Sequence, residues 1–138
     1  MKLRIKGNSI RLRLGQSEVR RLTTEGIVEE SATFGPSIEH SFTYALCRTS
    51  DAFEVNATFA GGRIVVCVPE ILIYQWATTD QISIQAIQGS GDHDALRILI
   101  EKDFECIDAP SGESQANAFP NPQFGAACHP VVATVRSL

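Results

Sequence analysis

Long apolar runs are missing from this chain. No stretch approaches the roughly 18 residues that a membrane-spanning helix needs, and residues 1–14 alternate charged with apolar side chains, so they lack the apolar core of a secretory signal. The expectation is a cytosolic protein without a membrane partner, whose four cysteines (Cys47, Cys67, Cys106, Cys128) are reduced thiols. Aromatic residues make up only 7% and do not interleave with the basic ones, as a single-strand nucleic-acid binder requires. Acidic residues outnumber basic ones 16 to 12, which also disfavours nucleic acid. No close Cys-x2–4-Cys pair is present, so a zinc knuckle is not written in the sequence. Gly61-Gly62 and Gly89-Ser90-Gly91 lack the Lys-Ser/Thr of a phosphate loop and the strand-to-helix setting of a dinucleotide fingerprint. No cofactor is expected.

What is present is an ordinary globular composition. The 138 residues match one domain, and 43% hydrophobic with 20% charged residues can build a core without disulfides or metal. Charge is unevenly spread. Residues 1–21 hold seven basic side chains (Lys2, Arg4, Lys6, Arg11, Arg13, Arg20, Arg21) against Glu18 alone.

Hydrophobic periodicity predicts an α+β fold, mostly antiparallel, with two short helices. Lys2–Lys6 alternates with period two. Gly7-Asn8-Ser9 interrupts it, and alternation resumes over Ile10–Leu14 with the parity changed, which a bulge or a small hairpin would produce. Ser17 is a candidate cap for a helix carrying Val19 and Leu22, and Gly26 stands where it would end. Strands are predicted over Ile27–Phe34, from Ile38 through His40 and Phe42 to Leu46, and over Phe53–Phe59. Gly61-Gly62 reads as a hairpin turn into Arg63–Val68. Pro69 suits the first turn of a second helix with Ile73 and Trp76. Two strands follow, the last over Ala95–Cys106. Residues 1–107 are expected to form the domain. Residues 108–138, rich in Pro, Gly, Ser and Asn, are expected to form a tail docked through Phe119, with Val131–Val135 as a short edge strand.

Leu22-Thr23-Thr24-Glu25-Gly26-Ile27 is similar to Ala77-Thr78-Thr79-Asp80-Gln81-Ile82, 55 residues on, which suggests two βαβββ-like modules. In element order the chain resembles the vicinal oxygen chelate folds, which carry His and Glu ligands on strands around a cup. The first strand here has no His, so that metal set does not carry over. The segments Lys2–Leu14, Ser17-Glu18-Val19, Val68-Pro69 with Trp76-Ala77, Ile98–Cys106 and Phe119-Pro120-Asn121-Pro122 resemble an uncharacterised family of small bacterial proteins. That resemblance implies no activity, and it is weakest after Pro122.

Lys2 and Arg4 on one strand face, with Arg11 and Arg13 on the next, form a candidate anion-binding set. The competing reading pairs them with Glu101 and Asp103 across strands. Cys106, Cys128 and His129 are candidate metal ligands, set against unlinked thiols. Cys47 and Cys67, in apolar strands, read as core residues. His40 reads as a core or rim residue and His93 as a loop residue, since neither has an identifiable nucleophile beside it. The functional expectation is a non-enzymatic binding or protein-interaction domain, with a homodimer as the expected partner. The alternative is a small-molecule binder or enzyme with a vicinal-oxygen-chelate-like cup.

Overall fold

The structure is a computed structural model that describes residues 1–90, 94–104 and 117–120. Its elements run β1 (Lys2–Lys6), β2 (Ser9–Leu14), α1 (Gln16–Thr24), β3 (Ile27–Thr33), β4 (Ser41–Thr49), β5 (Asn56–Ala60), β6 (Arg63–Pro69), α2 (Glu70–Thr78), β7 (Ser83–Gln88) and β8 (Leu96–Lys102). They form two four-stranded sheets. Sheet A has the order β1-β2-β8-β7 and sheet B the order β3-β4-β6-β5. Pairing is antiparallel except for β2–β8 and β4–β6, which are parallel. The α+β, mostly antiparallel expectation holds.

The change of parity near Gly7 is a hairpin. Gly7 takes φ +53°, and Gly61 and Gly62 take φ +57° and +71°, the left-handed region that glycine enters without a Cβ penalty. Each half of the chain therefore opens on a hairpin and reads ββαββ. Lys2 of β1 corresponds to Asn56 of β5, a shift of 54 residues that also relates Ser9 to Arg63 and Gln16 to Glu70. The shift becomes 56 at Ile27 and Ser83, because the chain between helix and strand is two residues longer in the second half. The 55-residue match seen in the sequence therefore pairs neither the helices nor the strands correctly.

Buried positions follow the shift. Ile10, Leu12 and Leu14 of β2 match Ile64, Val66 and Val68 of β6, and Val19 and Leu22 of α1 match Ile73 and Trp76 of α2. All belong to one core with Leu46 of β4 and Ile98 and Ile100 of β8. Aliphatic side chains thus occupy the space between the sheets where a polar cup would open. Trp76 is fully buried, and its indole N–H donates to the Ile82 carbonyl at 2.9 Å, which satisfies its one polar atom.

Helix ends are closed by residues distant in sequence. Arg48 donates from Nε to the Leu22 carbonyl in the last turns of α1 (3.1 Å) and lies over the Tyr74 ring. Lys102, its counterpart 54 residues on, donates to the Thr79 carbonyl at the end of α2 (2.7 Å) and lies over the Phe119 ring. A cation at a helix C-terminus meets the negative end of the dipole and an unpaired carbonyl at once. Burial pushes the Lys102 ammonium below its usual pKa, while Asp80 opposes that shift.

Two local expectations change. Ile38–His40 is a single 3-10 turn, and β4 begins at Ser41. Gly35-Pro36 opens a loop that must close on itself, and the Phe34 N–H does so by bonding to the His40 carbonyl (2.8 Å). Helix α1 is capped at Gly15, with Ser17 already inside it. The Glu18 carboxylate accepts from the Gly15 N–H, and Asn117 accepts from Gln16 N–H through its carbonyl and from Ser17 N–H through Oδ1. Beyond Asn117, Phe119 packs edge-on against Phe104, and its N–H donates to the Asp103 carbonyl. The predicted Val131–Val135 strand lies outside the described residues.

Gly15 has an ordinary φ of −76°, so its lack of a side chain serves close approach. A Cβ there would fall 2.5 Å from Asn117 Nδ2 and 2.7 Å from the Asn117 carbonyl oxygen. Gly15→Ala should destabilise by on the order of 1–2 kcal/mol, and Asn117→Gly by about 1 kcal/mol through the lost cap. The double variant should cost less than the sum, because both changes act on one contact. Urea denaturation of the three variants measures this, and strict additivity would refute the contact.

Candidate functional site

Register places the candidate cations on one surface. In sheet A, β1 pairs with β2 so that Lys2 faces Arg13, Arg4 faces Arg11 and Lys6 faces Ser9. The parallel pairing of β2 with β8 sets Arg13 beside Glu101, Arg11 beside Leu99 and Ser9 beside Arg97. β7 completes each row with Ser83, Gln85 and Ile87. Because Ile10, Leu12 and Leu14 point into the core, alternation turns all of these residues to the outer face. Lys2, Arg4, Arg11 and Arg13, picked from the sequence, are therefore neighbours. Lys6, which alternation already sets on the face of Lys2 and Arg4, stands with them, and the structure adds Arg97. Local pattern could not place Arg97 here, because only the long-range β2–β8 pairing brings it over.

Carboxylates answer part of this charge. Glu101, 2% exposed, accepts from Arg13 Nε at 2.8 Å and stands 3.6 Å from Arg11 Nε. Lys2 Nζ lies 3.1 Å from Asp103. The cross-strand pairing expected with Glu101 and Asp103 is present, but it covers only part of the face. Six cations stand against these two acids, and among the described residues Arg4, Lys6 and Arg97 have no carboxylate partner. Among the described residues, Arg11 Nη1 and Arg13 Nη2 are buried without a hydrogen-bond acceptor. Desolvation pulls the Arg11 guanidinium below its usual pKa, Glu101 opposes this, and Arg13 and Arg4 add to it by like-charge repulsion.

A groove of about 590 Å³ opens on this face, lined by residues 9–11, 85–87 and 97–99. Alternation presents Ser9, Arg11, Gln85, Ile87, Arg97 and Leu99 to it. The groove combines guanidinium donors, one amide, one hydroxyl and an apolar floor, a composition suited to orienting a small ligand that carries negative charge.

The other candidates lie elsewhere. Cys106, Cys128, His129 and His93 fall outside the described residues. Among the described residues no group of three or more His, Cys, Asp or Glu side chains is placed to hold a metal. His40 is an exposed turn residue whose Nδ1 accepts from the Ser37 N–H. Cys47 and Cys67 are not core residues. They are half-buried on the outer face of sheet B, because Leu46, Val66 and Val68 take the inward positions beside them.

Replacing Glu101 by Gln would leave Arg11 and Arg13 close together and mostly buried without a counter-charge. Breaking a buried pair in this way costs on the order of 3 kcal/mol. Glu101→Gln should lower the urea midpoint accordingly, and Arg11→Gln in the same chain should restore part of the loss. An unchanged midpoint in the first variant would mean that Glu101 does not hold the arginines.

Comparison with known proteins gives one family match. A search of curated proteins and a search of solved structures each find no match. The model of one family spans residues 1–123, including both ββαββ halves and the Asn117–Pro120 segment that caps α1. On that match the chain belongs to the family of unknown function DUF7009.

Proposed function

We propose that this protein is a non-enzymatic binding domain whose sheet A outer face takes a small anionic ligand, one bearing phosphate or carboxylate groups. The observation that carries the reading is the pair of guanidinium groups, Arg11 and Arg97, lining one groove on a face with more cations than carboxylates, where Arg11 Nη1 is buried with no acceptor among the described residues. A buried N–H left unmade is costly, and an oxyanion relieves that cost with charge-assisted bonds. Among the described residues the face carries no nucleophile paired with a base, which favours binding over catalysis. Its aromatic residues are too few to stack bases, which favours a small ligand over nucleic acid.

Titrating isotope-labelled protein with inorganic pyrophosphate at low salt should shift the amide resonances of Ser9, Arg11, Gln85 and Arg97 together. Arg97→Gln and Arg11→Gln should each weaken binding roughly tenfold, the scale of one lost charge-assisted bond. Added salt should weaken it further. Shifts scattered over all basic residues, or none on this face, would overturn the reading.

A homodimer is favoured by a separate observation. Phe53 (99% exposed), Ile71 and Tyr74 surround a depression of about 420 Å³ beside α2. Large apolar side chains grouped in this way mark interaction surfaces. Open strand edges contribute little, because the Gln88 side chain bonds both the N–H and the carbonyl of Ala57 and so closes part of the β5 edge. Sedimentation across a concentration series should show self-association that Phe53→Ser removes. A constant monomer mass would discard the dimer.

A further inference from the structure

The parallel junctions β2–β8 and β4–β6 are equivalent under the 54-residue shift. Arg13 corresponds to position 67 and Glu101 to position 47. The Arg13–Glu101 ion pair of sheet A thus occupies the same place as Cys47 and Cys67 in sheet B, which stand directly opposite each other in register. Their sulfurs are 2.8 Å apart, closer than two non-bonded sulfurs ordinarily stand. Both side chains are half-buried on an outer face, so a small reagent can reach them. An S–S bond of roughly 2.05 Å needs the sulfurs to close by less than an ångström. Directly paired residues on adjacent strands also lie near the Cα separation that a disulfide spans.

We propose that Cys47 and Cys67 form a reversible dithiol–disulfide couple, oxidised by a low-molecular-weight aliphatic disulfide, that covalently joins the two halves of the chain across the β4–β6 junction. In the first step one cysteine loses its proton, and its sulfur attacks a sulfur of the reagent. The reagent's S–S bond breaks, a mixed disulfide forms and one thiolate leaves. The second cysteine then loses its proton and attacks the protein sulfur of the mixed disulfide. The Cys47–Cys67 bond forms and the second thiolate leaves. The two protons released by the protein protonate the two leaving thiolates. The protein is oxidised by two electrons and one reagent disulfide is reduced to two thiols.

Geometry makes the second step fast once the first has occurred, since the partner sulfur is already in place. Attack by Cys47 is slow at neutral pH. Burial, and then the hydrogen bond and charge of Cys67, push the Cys47 thiol up to about 12, so little thiolate is available. The couple is therefore geometrically ready, while attack by Cys47 is kinetically restrained.

The test uses the full chain with Cys106→Ser and Cys128→Ser, so that only Cys47 and Cys67 remain. The protein is equilibrated in reduced and oxidised glutathione mixtures, quenched by alkylation and mapped by mass spectrometry. The expected result is an intrachain Cys47–Cys67 link with a loss of two hydrogens, no accumulated glutathione adduct and a melting temperature raised by several degrees. The rate of formation should still be climbing at pH 10. Cys67→Ser should instead retain glutathione on Cys47. The same mapping on the chain with all four cysteines should return the same link. Persistent thiols in oxidised glutathione, or stable adducts on both cysteines without a link, would overturn the proposal.

Discussion

Each four-stranded sheet of this chain is built from strands of both halves, and the rest of the structure follows from that. Sheet A joins the β1–β2 hairpin of the first half to β7 and β8 of the second, while sheet B joins the β5–β6 hairpin of the second half to β3 and β4 of the first. The two parallel junctions, β2–β8 and β4–β6, are where each half meets the other. Each hairpin edge needs a partner strand, and only the opposite half supplies one. The core is then common to both halves, because one cluster of buried side chains draws on both helices and on strands of both halves.

The shared core explains why the repeat is faint in the sequence. Equivalent buried positions must be apolar and closely packed, which Leu22 and Trp76, or Leu14 and Val68, achieve with side chains of different size. Identity survives poorly under that constraint, whereas pattern survives well. The short match between Leu22–Ile27 and Ala77–Ile82 falls where the spacing between helix and strand changes, so it aligned residues that the fold does not make equivalent. Strands and helices were legible from periodicity, and the Gly61-Gly62 turn from its composition. The Ile38–His40 turn was not, since its alternation ran unbroken into β4 while a backbone bond from Phe34 bent the chain. The α1 cap was not legible either, because its acceptor is Asn117, a hundred residues away. The family match ending at residue 123 agrees with the resemblance fading after Pro122.

The candidate face was half legible. Alternation alone puts Lys2, Arg4 and Lys6 on one side of β1 and Arg11 and Arg13 on one side of β2. Whether those sides coincide depends on the turn between them, and whether Arg97, Gln85 and Glu101 join them depends on pairing across most of the chain. Cys47 and Cys67 were misread for a related reason. Both lie in apolar segments, but strand parity set by Leu46 and Val66 turns them outward.

The two outer faces show how one fold carries two chemistries. Packing fixes the inward residues, so divergence between the halves collects on the outside. At the same junction position sheet A has an arginine and a glutamate, whereas sheet B has two thiols. The separations differ as well. Arg13 and Glu101 are 88 residues apart in sequence, Cys47 and Cys67 only 20. Loop closure over the shorter span costs less entropy, so sheet B is the half of the fold that can assemble first. Sheet A then closes by bringing β8 back to β2, and in doing so it brings Arg97 to Ser9 and Arg11 and completes the cationic groove. The groove therefore exists only in the fully closed fold, whereas the basic hairpin that carries Arg11 is set by local sequence.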